Sequence, residues 1–371
     1  MNRKTCVICR EPLQLEIYSQ DNFPINMSHT TEPESSDIFS TLSFFSCVNC
    51  GCVQLKTLID PVFLYKNSHN ITFNTPTWSD HHNKFAEFIQ ANTSPTDTLF
   101  EIGGHSGVLA KKLLESTTPK YYILDICDTS PDISGIEFIS GNCETYTYNP
   151  NDTIIMSHVF EHLYNPRLFL ENLSATGVNS IFISNPNMEN WLESGVPSFL
   201  HVEHTYYCDS TFINYLMNQY GYVCNKEISF KNHSVFYHFK RGEITVPISI
   251  QDRTSVLINT FKSYYNKRDT FFKYLQIDVP FFIFPAGHYG QLAYRSLTSS
   301  IHNFICFLDN DPSKINTRVY GTKGDTNNPN MLKDYGANPV TILLIASVYS
   351  DEIKRQLLSI NNNINFIEFN N

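Results

Sequence analysis

The sequence predicts an α/β protein of three units: a small cysteine-bearing N-terminal unit, a central parallel-sheet domain and a second, smaller parallel-sheet domain. Three observations carry this. An apolar strand at 98–102 runs into a glycine-rich turn (Gly103, Gly104, Gly107) and then a helix with apolar residues at helical spacing, and a second strand from Tyr121 ends on Asp125. The same order of strand, glycine turn, helix and acid-ended strand recurs between Pro280 and Asp309. Two Cys-x-x-Cys pairs, Cys6/Cys9 and Cys47/Cys50, lie near the N-terminus. Strands that alternate with helices form parallel sheets, because a parallel connection needs a crossover long enough to hold a helix.

The first unit is expected over residues 1–60. Zinc takes four ligands tetrahedrally, and each Cys-x-x-Cys turn offers two thiolates on one side of the ion. Cys6, Cys9, Cys47 and Cys50 are therefore expected to hold structural Zn2+, with Cys52 a spare thiol nearby. Burial as small apolar groups accounts for single thiols such as Cys127 and Cys224, but not for two matched pairs. Neither pair opens a helix after a strand, as a redox dithiol does. So short a segment holds little core, so the metal supplies folding energy. Four protein ligands leave no open position for catalysis.

The central unit is expected over residues 61–245. A linker with Pro61, Asn67–Asn70 and Thr75–Trp78 leads to a helix from His82 to Ala91. In the glycine turn the order is Glu101-x-Gly103-Gly104-x-x-Gly107. Glycines let the backbone approach a ligand, and an acid at the end of the next strand takes both hydroxyls of a ribose. A carboxylate at Glu101 would repel a pyrophosphate but suits the ammonium of a methionine moiety. The run thus resembles motif I of class I S-adenosylmethionine methyltransferases. Asp125 stands at the ribose position. Ser140–Glu144, with Asn142, follows a third short strand where such enzymes contact adenine. Residues 153–163 resemble their fourth strand and loop, with His158 on the cofactor side. A strand at 180–184, the group His201-Val202-Glu203-His204, a helix from Asp209 to Tyr220 and closing strands at 221–223 and 234–239 complete the unit.

The third unit, 246–371, opens with an amphipathic helix from Asp252 to Tyr274. Strands at 280–285, 304–309 and 340–346 then build the smaller Rossmann-like domain. It is either a scaffold or the holder of a second nucleotide.

Charge and hydropathy narrow the partners. The formal charge is −10 and no long basic run appears, which argues against nucleic acid, since phosphate binding depends on clustered Lys and Arg. No apolar run reaches the ~20 residues a membrane helix needs, and residues 1–6 lack the apolar core of a signal peptide. A cytoplasmic protein with reduced thiols is expected.

Zinc knuckles, a methyltransferase unit and a second Rossmann-like unit, in that order, resemble the sugar C-methyltransferase family, enzymes that methylate carbon 3 of nucleotide-linked 4-keto deoxysugars. The resemblance spans the chain. Phe23–Asn26 matches the loop between the knuckles, Cys47–Leu55 the second knuckle and exit strand, Glu203-His204 the family's Glu-His pair, His233-Ser234 the His-bearing strand, and Asp309–Lys314 with Gly321 the last-domain nucleotide contact. It implies S-adenosylmethionine as cofactor, a nucleotide sugar as partner, His204 as the base that removes a proton next to a ketone, Glu203 as its support and His162 as a second candidate base. A near-neutral imidazole suits that step. Tyr65, His201, His233, Asp309 and Lys314 are the implied substrate contacts. The chain is expected to be a monomer or weak dimer.

The sequence departs from the family where His201 replaces a Tyr, where only Tyr65 remains of a Tyr-rich stretch, and where Tyr289 replaces a glycine-loop Lys. These positions face the substrate, so oxygen methylation of a sugar hydroxyl stays open, as does an inactive scaffold that binds a sugar nucleotide for a partner enzyme. As lone groups, His81, His82, His158 and His302 read as core or surface histidines, and His158-x-x-Glu161-His162 as the start of a helix after the fourth strand rather than a metal motif.

Overall fold

The computed structural model describes residues 1–27, 29–66, 76–115, 119–127, 130–193, 201–244, 248–250, 253–297, 300–345 and 350–368. Most of the expected linker, residues 67–75, lies outside them. At the N-terminus β1 (Leu15–Pro24), β3 (Phe39–Ser46) and β4 (Val53–Leu55) form an antiparallel sheet. Between them β2 (His29–Thr30) leaves the sheet and pairs with Arg318–Val319 far down the chain. Two helices follow, α1 (Pro61–Lys66) and α2 (Pro76–Gln90). The second starts six residues before the expected His82.

The central sheet contains β5 (Thr98–Ile102), β6 (Lys120–Asp125), β7 (Ile136–Ser140), β8 (Asp152–Ser157), β9 (Ser180–Pro186), β10 (Tyr222–Phe230) and β11 (Ser234–Arg241), in the order β10-β11-β9-β8-β5-β6-β7. The five strands β5 to β9 run parallel, and β11 and β10 close one edge as an antiparallel hairpin. The central strands read as unbroken apolar runs because helices cover both faces. Leu99, Phe100 and Ile102 on β5 and Ile154, Ile155 and Met156 on β8 are all buried. The helices are α3 (Val108–Leu114), α4 (Pro166–Thr176), α5 (Met188–Glu193) and α6 (Ser210–Gln219). Local chemistry sets their ends. Asn165 caps α4 by accepting from Leu168 N, Pro166 occupies its first turn, and Gly177 ends it at φ 85°, the usual division of labour between Asn, Pro and Gly. Asp209 caps α6 through Phe212 N.

Helix α7 (Thr254–Tyr274) leads to the third sheet, β12 (Phe281–Phe284), β13 (Phe304–Leu308), β14 (Arg318–Val319, the partner of β2), β15 (Thr326–Asn327), β16 (Val340–Leu344) and β17 (Ile364–Glu368), with α8 (His288–Ser296) and α9 (Ser350–Ile360) between them. Apart from β14 these strands form a parallel sheet in the order β15-β13-β12-β16-β17. In both parallel sheets the strand order reverses beside the first strand, β5 or β12, and ligands of open α/β sheets bind at the carboxyl ends of strands flanking such a reversal.

The N-terminal unit is tied to both others. Asp37 accepts from both terminal nitrogens of Arg318, at 2.6 and 2.8 Å, and from Gly321 N. On the opposite side β4 continues into the central unit: Leu55 N donates to Thr205 O and Tyr207 N to Val53 O, both at 2.8 Å. Among the described residues, no helix is long and apolar enough to cross a membrane.

Candidate functional site

The glycine turn between β5 and α3 is built around a buried acid. Gly103 and Gly107 hold φ values of 71° and 67°, a region that favours glycine. Gly104 serves a different need. A Cβ there would stand 2.8 Å from the carboxyl carbon of Glu101, so the missing side chain leaves room for that carboxyl under the turn. Tyr121 OH donates to Glu101 Oε2 at 2.7 Å. Burial pushes the Glu101 carboxyl up to about 7, with a smaller push from Asp125. A cation beside it would reverse that shift.

Asp125 ends β6 as expected. Its two oxygens accept from His105 N and Cys127 N, both at 3.0 Å, which fixes the carboxylate against the turn and leaves it further lone pairs. Asn142 is exposed after β7, and its side-chain oxygen accepts from Glu144 N at 2.8 Å, closing a local turn.

Seven side chains from four stretches of chain meet beyond the carboxyl end of β8. Tyr65 of α1 places its hydroxyl 3.0 Å from His162 Nδ1. Glu203 Oε2 lies 3.9 Å from the same nitrogen. Glu161 Oε1 lies 3.9 Å from both His162 Nε2 and His204 Nε2. The His162 and His204 rings meet edge to face at 4.9 Å, and His201 lies over His204 at 3.9 Å. His288, at the start of α8 in the third unit, reaches His201 at 5.0 Å. Glu161 is fully buried, and neither of its oxygens has a hydrogen-bond partner among the described residues. Burial raises both Glu161 and Glu203 to about 7; for Glu161, His204 pulls the other way. Burial, then His204, His288 and His162, holds the His201 imidazole well below its ordinary range.

One expectation is corrected here. Adjacency in sequence does not make Glu203 the partner of His204. Their side chains diverge at the bend, Glu203 facing His162 while Glu161 supplies the carboxylate beside His204. Tyr65, His162, His201, Glu203 and His204 are brought together. His158 and His233 are not part of that group. The His158 ring is held by Ser234 Oγ at 2.8 Å and stands 3.4 Å from Glu161 Oε1, and His233 joins it beside His81. The two groups thus share Glu161 as a wall.

Asp309 and Lys314 sit at the corresponding strand end of the third sheet and pair with each other at 2.8 Å. Lys314 also donates to Ala286 O, so the pair braces the turn that presents His288. The second Asp309 oxygen accepts from Asp311 N.

The four N-terminal cysteines converge. Cys6 Sγ lies 3.6 Å from Cys50 Sγ, and Cys9 Sγ 3.3 Å from Cys47 Sγ. Thiolates about 2.3 Å from a tetrahedral zinc lie about 3.8 Å apart, so the donor set fits that ion. The two knuckles match in backbone: Arg10 N donates to Cys6 O and Gly51 N to Cys47 O, with φ of 71° and 76° at Arg10 and Gly51. Hydrogen bonds with Cys47, first among several, hold the Cys9 thiol down and the Cys50 thiol up. Ile8 N and Gln54 Nε2 point at Cys6 Sγ, at 3.4 and 3.1 Å. These are donors a thiolate accepts.

Glu161, His288 and His81 were not expected at any site. The signal for the first lay in His158-x-x-Glu161-His162, set aside as a helix start; that turn is a single short 3-10 turn at Phe160–His162. His288 sits inside the second glycine turn, between Gly287 and Gly290, as the first residue of α8.

No protein-family model and no curated protein matches the chain. Among solved structures, the chain resembles magnesium protoporphyrin IX methyltransferase from Synechocystis PCC 6803 with bound SAH, at 12% identity and a TM-score of 0.37, over 45% of this chain and 84% of that one. It also resembles the N-methyltransferase NodS from Bradyrhizobium japonicum WM9 in complex with S-adenosyl-L-homocysteine (12% identity, TM-score 0.36, 46% and 90%) and a SAM-dependent methyltransferase from Aquifex aeolicus (14%, 0.34, 44% and 98%). The central sheet, five parallel strands closed at one edge by an antiparallel hairpin, has the class I S-adenosylmethionine methyltransferase fold.

Proposed function

We propose that the protein is an S-adenosylmethionine-dependent methyltransferase that acts on a nucleotide-linked 4-keto deoxysugar at the carbon next to the ketone. The observation that carries this is the convergence of Tyr65, Glu161, His162, Glu203 and His204 beside a glycine turn built over a buried carboxyl. Glu101 suits the ammonium of the cofactor's methionine end and Asp125 its ribose. Val159 connects the two halves, because a Cβ on Gly103 would stand 2.6 Å from its side chain. The four cysteines hold a structural Zn2+.

His204 removes the proton from the sugar carbon, and the electron pair moves into the adjoining carbonyl to give an enolate. Glu161 lies 3.9 Å from His204 Nε2, so the imidazolium formed stands beside a carboxylate that offsets its charge. Tyr65 stays protonated, because burial, then the Glu203 charge, raises its hydroxyl far above its ordinary range. Paired with His162, it provides an O–H donor for the enolate oxygen, an oxyanion-type contact. S-Adenosylmethionine, when bound, supplies the electrophilic methyl group to which the enolate carbon bonds. Asp309, Lys314 and His288 line the side from which the nucleotide end of the substrate enters.

The test uses a 4-keto deoxysugar nucleotide in deuterated water. The wild type should exchange the hydrogen next to the ketone even without the cofactor. His204→Ala should retain cofactor binding while turnover falls by about 10²–10⁴-fold, the usual share of a positioned general base. Methylation without exchange, onto a sugar lacking a ketone, would move the reaction to a hydroxyl oxygen.

A further inference from the structure

Three imidazoles that the methyl-transfer reading leaves unused gather on the other side of Glu161. His81 comes from α2, His158 follows β8 and His233 precedes β11. Each presents one ring nitrogen, and the three nitrogens lie within 4.8 Å of one another. Trp78 packs edge-on against all three, with ring centroids 5.1, 4.8 and 4.7 Å away.

Two serines orient the rings. Ser184 Oγ lies 2.8 Å from His81 Nε2. Ser234 Oγ lies 2.8 Å from His158 Nε2 and 2.6 Å from His233 Nδ1. Each hydroxyl fixes the orientation of the ring it touches. Buried polar atoms nevertheless lack partners. His81 is fully buried, and its Nδ1 has no hydrogen bond among the described residues; the same holds for both oxygens of Glu161. Glu161 Oε1 stands 3.4 Å from His158 Nδ1. Leaving such atoms unpaired is costly, and apolar packing offers them nothing.

We propose that His81, His158 and His233 bind a divalent transition-metal ion of the imidazole-preferring kind, such as Zn2+, Co2+ or Ni2+, with Glu161 as the adjacent balancing carboxylate. Nitrogens about 2.0–2.1 Å from a tetrahedral ion stand about 3.4 Å apart, so each ring closes inward by less than about 1 Å. Magnesium and calcium are poor fits, because they take oxygen ligands. The ion turns the isolated Glu161 carboxyl into half of an ion pair. The proposal shares Glu161 with the methyl-transfer reading, but its readout is metal binding, so a failed activity assay does not touch it.

The test is a Co2+ titration of full-length protein stripped with chelator. The thiolate-to-cobalt charge-transfer band reports the cysteine site. Quenching of Trp78 emission reports the histidine site, and Trp78→Phe identifies the quenched residue, since the chain has only 2 tryptophans. The expected result is two equivalents bound per chain, with Trp78 quenched. His233→Ala and His158→Gln should each raise the Co2+ concentration needed for quenching by at least about tenfold and leave the charge-transfer band intact. One equivalent bound with Trp78 emission unchanged overturns the proposal in the wild type alone, whatever the variants do. Quenching that survives both substitutions overturns it as well.

Discussion

Replacing Glu101 with Gln separates what this carboxyl does for the fold from what it does for the cofactor. Burial lifts its titration from an ordinary 4.5 to about 7 in the folded chain. At roughly 1.4 kcal/mol per pKa unit, the folded state loses about 3 kcal/mol once the group ionises. Between pH 4.5 and 7 the folded state binds more protons than the unfolded one, so stability falls as pH rises through that window. It is greatest below about pH 4.5, and this contribution is flat above about 7. Gln carries no such dependence. Glu161 and Glu203 act in the same direction, but they are present in both proteins, and the difference isolates Glu101. Urea unfolding at pH 5 and pH 8 should therefore show E101Q gaining on the wild type by as much as ~3 kcal/mol across the window. Calorimetry should show the opposite for the cofactor. With the charge gone, S-adenosylmethionine affinity should fall about ten- to a hundredfold, the worth of a charge-assisted hydrogen bond. Wild-type binding near pH 6 should release a proton, visible as an enthalpy that depends on buffer ionisation. An E101Q protein with the wild-type pH–stability curve, or one that binds the cofactor unchanged, refutes the reasoning.

Other predictions are simpler. Asp125→Ala should weaken S-adenosylmethionine binding by about ten- to a hundredfold, read by calorimetry; unchanged affinity would remove the β6 end from the cofactor site. Cys9→Ser should lose the metal of the N-terminal cluster in elemental analysis and unfold that unit at lower temperature. Arg3→Met should destabilise the chain by about 1.5–3 kcal/mol in urea unfolding, because the buried guanidinium donates to Thr205 O at 2.8 Å and Tyr164 O at 2.9 Å and Tyr164 O loses its donor. Gly104→Ala should weaken cofactor binding without unfolding the chain, since the new methyl presses on the end of the Glu101 side chain.

The parts of the fold legible in the sequence were those written in local periodicity. Unbroken apolar strands, glycine turns and acid-ended second strands announced both parallel sheets, and β5 to β11 fall where those patterns lie. The pairing of β2 with β14 was not legible, because two-residue strands carry no period and their partners are almost three hundred residues apart. At the site, the glycine turn, Asp125 and the four cysteines could be read from spacing, since one supersecondary unit or one repeated turn assembles each. The Glu161 group could not. Its members come from α1, the loop after β8, the bend at 201–204 and the start of α8, and no spacing rule joins those segments. Reading Glu203 as the partner of His204 failed for a related reason. Neighbours in sequence at a bend point to different surroundings, and the carboxylate beside His204 is held by a loop some forty residues earlier.

That long-range assembly gives the cysteine unit a role beyond folding itself. Gln54 lies on β4, its amide nitrogen 3.1 Å from Cys6 Sγ and its side-chain oxygen accepting from Val7 N at 3.0 Å. Its backbone bridges to Tyr206, two residues after His204. Cys52 Sγ lies 3.3 Å from Tyr207 O, and Arg3 holds Thr205 O. The strand that leaves the second knuckle is therefore the template on which the segment after His204 is laid. A carboxylate and an imidazole 3.9 Å apart depend steeply on position, and catalysis by alignment is lost over about 1 Å. With the proposed zinc bound, the four thiolates hold both knuckles, the knuckles hold Gln54 and β4, and β4 holds the chain that presents His204. On the other flank, Lys314 and Asp309 brace the turn that brings His288 to His201. The central unit carries the glycine turn and most of the proposed reacting groups, but the placement of its histidines is decided by its two neighbours.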